Sequence, residues 1–168
     1  ISLNEIHGLF HTHTHDDHFA GLATLARSGH RIEYYATPLV RASVTKKLCA
    51  LLTVEPEFFE KCFNINDLIL DEWNNIDGLE VRPIFSPHPV ETTIMRFRSL
   101  WEDGYHTYAH FADIAAFSVI DGMLESDELP GLKAETIAKI KNDYLEPANT
   151  KKIDIGGGMI HGDIEDFA

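Results

Sequence analysis

Positive charge is scarce in this sequence. Against 27 Asp and Glu stand 14 Lys and Arg, for a formal net charge of −13. Such a surface repels nucleic acid and anionic membranes unless a local field reverses it. A large nucleic acid is therefore a poor partner. A small-molecule substrate carrying phosphate stays open, because bound cations would be such a local reversal. Cysteine is nearly absent as well. Cys49 and Cys62 make neither a disulfide framework nor a four-thiolate zinc site, and both are expected as buried free thiols. No apolar run reaches the length that crosses a bilayer, so no membrane partner is expected. No signal peptide is visible, and the expected location is the cytoplasm. Repeats, low-complexity tracts and linkers are missing too. The 168 residues are expected to form a single domain over 1–168, large enough for a core of its own.

Histidine, by contrast, is plentiful: the chain has ten, and four fall in His11-Thr12-His13-Thr14-His15-Asp16-Asp17-His18-Phe19-Ala20-Gly21. Imidazole and carboxylate are the usual ligands of a borderline cation such as zinc. The segment follows Ile6, Leu9 and Phe10 and precedes Leu22, Leu25 and Ala26. A strand end, a loop and a helix in that order would set these ligands at the mouth of a sheet. Alternate residues of an extended segment point the same way, so His13 and His15 can share one metal. Asp17 and His18 lie past the turn and can reach a second.

Strands are expected over Ile1–Phe10, Arg31–Thr37, Leu79–Ser86, Thr92–Leu100, Tyr105–Phe111 and Lys152–Ile155. Helices are expected over Phe19–Ser28, Pro38–Leu52, Glu55–Cys62, Ala115–Glu125 and Leu132–Tyr144, the last after a Pro130-Gly131 break. Asn66–Gly78 reads as mixed. Asp77-Gly78 is a turn signal, and Glu102-Asp103-Gly104 turns a hairpin. Strands mixed with helices, and paired strands in the middle, point to a layered α/β or α+β domain.

The pattern His13-x-His15-x-Asp17-His18, continued by Phe19-Ala20-Gly21-Leu22, resembles the metallo-β-lactamase superfamily. That family carries a further His at a strand end, then an Asp at a strand end, then a last His. Ser86-Pro87-His88-Pro89, Ala109-His110-Phe111-Ala112-Asp113-Ile114 and Gly158-Met159-Ile160-His161-Gly162 supply them in that order. The resemblance implies that His13, His15 and His88 hold one metal, that Asp17, His18 and His161 hold a second, and that Asp113 bridges them. It implies two divalent ions, zinc first, with iron or manganese as alternatives. A hydroxide between such ions is a nucleophile at neutral pH, with Asp17 as the carboxylate that orients it.

The resemblance also implies an αββα sandwich, incomplete here on its N-terminal side, because members carry several strands before the first motif. The chain is therefore expected to be a portion of a longer polypeptide, with residues upstream of Ile1, or to take the missing strands from another chain. The expected function is dinuclear metal-dependent hydrolysis, on a phosphodiester or small nucleotide. A thioester hydrolase of the same superfamily and a non-catalytic metal-binding or sensing domain are the alternatives. His15 stands where oxygen-handling members carry Glu, which favours a hydrolase. Neither cysteine falls at a motif position, so antibiotic hydrolysis is not expected. A barrel-type amidohydrolase also begins on His-x-His, but this chain is too short for a full barrel.

Other polar residues draw blander readings. His11 and His110 are expected beside the ligands, facing them or the substrate. His7, His30 and His106 read as surface or structural residues, Asp16 as solvated, and Asp163 as outside the site. Gly156–Gly158 either cradles a phosphate through backbone N–H groups or lets the chain turn tightly beside a ligand.

Overall fold

The structure is a computed structural model that describes residues 2–125, 133–158 and 160–167. Its first sheet holds β1 (Gly8–Phe10), β2 (Ile32–Ala36) and β3 (Phe63–Asp67) in that order, all parallel. Parallel neighbours need crossovers, and short helices supply them. Helices α1 (Asp16–Phe19) and α2 (Leu22–Leu25) lie between β1 and β2; α3 (Pro38–Leu52) and α4 (Glu57–Cys62) lie between β2 and β3. The second sheet runs β4 (Asn74–Ile76), β5 (Leu79–Ser86), β6 (Thr92–Trp101), β7 (Gly104–His110) and β8 (Thr150–Lys152). Its first four strands are antiparallel, and β8 joins β7 in parallel after a crossover through α5 (Phe117–Glu125) and α6 (Ala134–Leu145).

Three apolar clusters define the layers. Ile32, Tyr34 and Ala36 of β2 pack on Phe19, Leu22, Val40, Val44, Leu48 and Phe59, so α1–α4 cover one face of the first sheet. Val40, Val44 and Leu48 recur every fourth residue and form one helical stripe. Ile84, Ile94 and Ala109 of the second sheet pack on Ile120, Ile137, Ile140 and Tyr144 of α5 and α6. Between the sheets lie Val81, Met95 and Leu68, flanked by Phe10, Tyr35 and Phe97. Strand alternation explains the sorting: Tyr34 faces the helices and Tyr35 the other sheet, as do Ile94 and Met95 across β6. Helix, sheet, sheet and helix make an αββα sandwich of the α/β class.

The middle layer is the thinnest. Among the described residues, no strand pairs with the outer edge of β1. Beside that edge opens a cavity of about 450 Å³ lined by Leu9, Phe10, Leu25, Met95, Phe97 and Tyr108, among others. The outer layer of the second sheet is pinned by charge. Arg96, 3% exposed, donates to the carbonyls of Asp143, Glu146 and Pro147 at 3.2, 3.0 and 2.5 Å, filling carbonyls left open at the end of α6.

Several expected elements differ in extent. Ile1–Phe10 is not one strand: a 3₁₀ turn at Leu3–Glu5 precedes a three-residue β1. The helix expected over Phe19–Ser28 is two short helices with Ala20 and Gly21 between them. β3 follows α4 without a loop, where the sequence predicts no element at Phe63–Ile65; its Asn64 and Asn66 side chains bond the Glu33 carboxylate on β2 at 2.6 and 2.7 Å, a polar ladder without strand-like hydropathy. β8 lies at Thr150–Lys152, earlier than expected, because its register with β7 fixes it there. The Asp77-Gly78 turn closes the β4–β5 hairpin with both residues at positive φ. The Pro130-Gly131 break and the helix start at Leu132 lie outside the described residues, as does Met159.

Candidate metal centre

The His-rich segment is held between the sheets by its backbone. The amide of His11 donates to Tyr35 of the first sheet at 2.9 Å, and the carbonyl of Thr12 accepts from Thr93 of the second at 3.0 Å. His13 therefore emerges at the seam, and it is fully buried. Lys47 of α3 anchors the next turn, donating to the carbonyl of Thr14 at 2.6 Å and the carboxylate of Asp16 at 2.5 Å. His15 sits at the N-cap of α1, and Asp17 and His18 fall on its first turn.

The second sheet brings the other groups from its strand ends. His88 follows β5 and Asp113 follows β7. The fully buried Ser86 hydroxyl donates to the Asp113 carbonyl at 3.2 Å and pairs with the Tyr144 hydroxyl at 2.7 Å, so the end of β5 holds the chain at Asp113. The Asp113 side chain is the hub. Its Oδ1 lies 3.0 Å from His18 Nε2; its Oδ2 lies 3.5 Å from His13 Nε2 and 3.6 Å from His88 Nε2.

Three sets of ligating atoms gather there, each within 4.8 Å: His13, His15, His88 and Asp113; Asp17, His18 and Asp113; Asp113, Asp154 and His161. All seven expected ligand residues enter one of these sets. His161 falls with Asp113 and Asp154 rather than with Asp17 and His18. Asp154 lies outside the expected ligand set; its signal in the sequence is an acidic residue just ahead of the glycine run.

The donors suit a divalent cation. Among the described residues His13 Nε2 is buried without a hydrogen-bond partner, and its Nδ1 lies 3.1 Å from the Thr12 hydroxyl; with Nδ1–H donated to that hydroxyl, Nε2 presents its lone pair to the hub. His88 Nε2 and His15 Nδ1 approach to 2.9 Å. Burial, reinforced by His18, His88 and His15, lowers the pKa of His13 to about 3. Burial and the His15 neighbour lower His88 too, partly offset by Asp113. Both rings are thus neutral at pH 7, the form that binds metal. Burial raises Asp17, but its own backbone amide and the imidazoles of His18, His13 and His15 outweigh that and hold it below the usual carboxylate value.

His11 and His110 lie outside the three sets. His11 is buried against Phe19 and Tyr34, and burial lowers its pKa to about 4. His110 takes the Tyr108 hydroxyl at 3.0 Å and lines the cavity with His18. His30 bonds the Ile6 carbonyl, and His106 pairs with Asp103 at the exposed hairpin. Asp16 is spent on Lys47. The glycine run serves a tight turn: Gly157 and Gly158 have positive φ, and a Cβ on Gly156 would come within 3.0 Å of the His161 ring.

Residues 1–130 match the family model described as "Beta-lactamase superfamily domain". No curated protein matches the sequence. Among solved structures, the metallo-β-lactamase fold protein YhfI from Bacillus subtilis is similar at a TM-score of 0.51 and 20% identity, over 73% of this chain and 47% of that one. The metallo-β-lactamase SMB-1, solved with 2-mercaptoethanesulfonate, is similar at a TM-score of 0.51 and 14% identity, over 90% of this chain and 59% of that one. The chain thus spans about half the length of these relatives, and at such identities the likeness is one of fold. The αββα layers, the histidines and carboxylates gathered at their seam and the family match over most of the chain agree: this chain belongs to the β-lactamase superfamily.

Proposed function

We propose that this chain is a dinuclear metal-dependent hydrolase acting on a phosphodiester or small nucleotide-type substrate. One observation carries the reading: a single buried carboxylate, Asp113, belongs to every set of ligating atoms at the seam. A shared carboxylate lets two cations sit side by side, the arrangement that suits displacement at phosphorus. His13, His15, His88 and Asp113 would hold one cation. Asp17, His18 and Asp113 would hold the other, with His161, whose ring gathers beside Asp113 and Asp154, reaching it as a further donor. Zinc is the first choice for such nitrogen and oxygen donors, with iron or manganese as alternatives. When bound, the ions would lower the pKa of a coordinated water and polarise the scissile bond.

The chain's own residues do the rest. The Asp17 carboxylate is 73% exposed and lies 3.3 Å from His18 Nε2. Held ionised, it accepts a hydrogen bond from the attacking water and orients it. Ser86 and Tyr144 keep Asp113 in place from behind. The net charge of −13 favours a small substrate drawn by local cations over a long polyanion. The free thiols at Cys49 and Cys62 fit a reducing compartment, which supports a cytoplasmic location. The unpaired edge of β1, with the cavity beside it, supports the further reading that another segment or chain covers it.

Hydrolysis of bis(p-nitrophenyl) phosphate tests the proposal. Turnover by the zinc-loaded chain, lost in His18→Ala with its circular dichroism unchanged, is the expected result. No turnover across phosphodiester, thioester and lactam substrates would leave a metal-binding domain in its place.

A further inference from the structure

The last ligand candidate sits in a loop with a side chain more exposed than those of His88 and Asp113. His161 lies in the loop after β8, outside any helix or strand, and its side chain is 33% exposed. A ring so placed needs something to aim it, and Asp154 is built for that. The Asp154 side chain is 11% exposed. Its Oδ2 accepts from His161 Nδ1 at 2.9 Å and from the amide of Ile114 at 3.2 Å. Its Oδ1 accepts from the amide of Gly156 at 3.3 Å. Three donors therefore fill most of the carboxylate's acceptor capacity. One oxygen joins the His161 ring to the backbone next to Asp113.

From this geometry we propose that Asp154 is a positioning residue that fixes the tautomer and direction of His161, resting on the reading that His161 faces the second cation. With Nδ1–H committed to the carboxylate, Nε2 is the nitrogen left as a lone pair. The packing around the pair enforces the same placement. A Cβ on Gly162 would lie 2.7 Å from the Asp154 carbonyl oxygen and 2.9 Å from Ile114 Cδ1, and one on Gly156 would lie 3.0 Å from His161 Cγ. The loop is pressed onto Asp154, Ile114 and His161, tightly at Gly156 and, at Gly162, too closely for any Cβ without a backbone shift. Asp154 shares a set of ligating atoms with Asp113 and His161. Its oxygens are nevertheless taken by amides and the ring, so it acts through His161.

The test is zinc titration of the full chain against a competing chelator, with imidazole ¹H–¹⁵N spectra of the loaded protein. Asp154→Ala is expected to keep the first equivalent at native affinity and to weaken the second by about 10- to 100-fold. The protected Nδ1–H signal of His161 is expected to disappear with it. Asp154→Asn keeps an acceptor oxygen for Nδ1–H and is expected to recover much of the loss; it also carries the test if the alanine variant does not fold. Two equivalents bound by Asp154→Ala at native affinity would overturn the proposal. So would a second equivalent lost as fully in Asp154→Asn as in Asp154→Ala, which would make Asp154 a direct ligand. His161→Ala separates the two readings. Loss of one equivalent there upholds the ligand reading whatever Asp154 does, and two equivalents retained would remove both.

Discussion

The first sheet supplies His13, His15, Asp17 and His18 from one unbroken stretch, whereas the second supplies His88, Asp113 and His161 from three separate strand ends or loops. The structural support is reversed. Among the described residues, the first sheet has three short parallel strands and an unpaired edge at β1; the second has five strands, including the ten-residue β6. Ligands close in sequence can ride on a slight framework, because the local turn already groups them. Ligands far apart depend on tertiary structure, and here that structure is the longer sheet with α6 strapped to its back by Arg96.

The largest expected effect comes from the local motif. His13→Ala should cut phosphodiester turnover on the order of 10³-fold, about 4 kcal/mol, with little change in metal-free stability. Steady-state rates on the zinc-loaded variant check it, and a tenfold loss or less would show that the first cation does not depend on this ring.

Next comes the framework of the second sheet. Arg96→Met leaves three carbonyls at the end of α6 without their donor and should cost about 3 kcal/mol in urea unfolding. An unchanged midpoint would mean that α6 holds to the sheet by Ile137, Ile140, Tyr144 and the Arg82–Asp143 pair without help from Arg96.

pH should act on the buried imidazoles of the first half. The folded pKa of His11 is about 4 against 6.5 unfolded, so the unfolded chain binds more protons between those values. Stability then falls as pH drops from about 6.5 toward 4, by about 2 kcal/mol from this residue at pH 5. Metal-free protein melted at pH 7 and pH 5 should show the drop, and His11→Phe should reduce it. Equal melting of wild type at both pH values would contradict it.

The smallest effect has the opposite sign. The Tyr34 hydroxyl is buried in the first layer without a hydrogen-bond partner among the described residues, so Tyr34→Phe should be neutral or stabilising by up to about 1 kcal/mol. A clear destabilisation would reveal a partner such as an internal water.

The same contrast explains what could be read from residues alone. The His13–His18 motif is legible because its chemistry is contiguous. The β5–β7 meander is legible because its strands are bounded by turn signals: Asp77-Gly78 just before β5, Pro87-His88-Pro89 after it, and Asp103-Gly104 between β6 and β7. β3 was hidden because Asn64 and Asn66 become strand residues only when Glu33 lies beside them. The split between α1 and α2 was hidden because Phe19, Leu22 and Leu25 keep helical spacing across Ala20 and Gly21. Asp154 carries only a weak signal, an acidic residue ahead of the glycine run, because its partners are the His161 ring and the Ile114 amide, and the second arrives only with the β7–β8 pairing.

All of this turns on Asp113 as the carboxylate common to two cation sites. Native mass spectrometry of the zinc-titrated chain tests that most directly. Two zinc ions in the wild type, with both weakened in Asp113→Ala, is the predicted result. A wild type that takes one ion, or an Asp113→Ala chain that keeps two at native affinity, would contradict it.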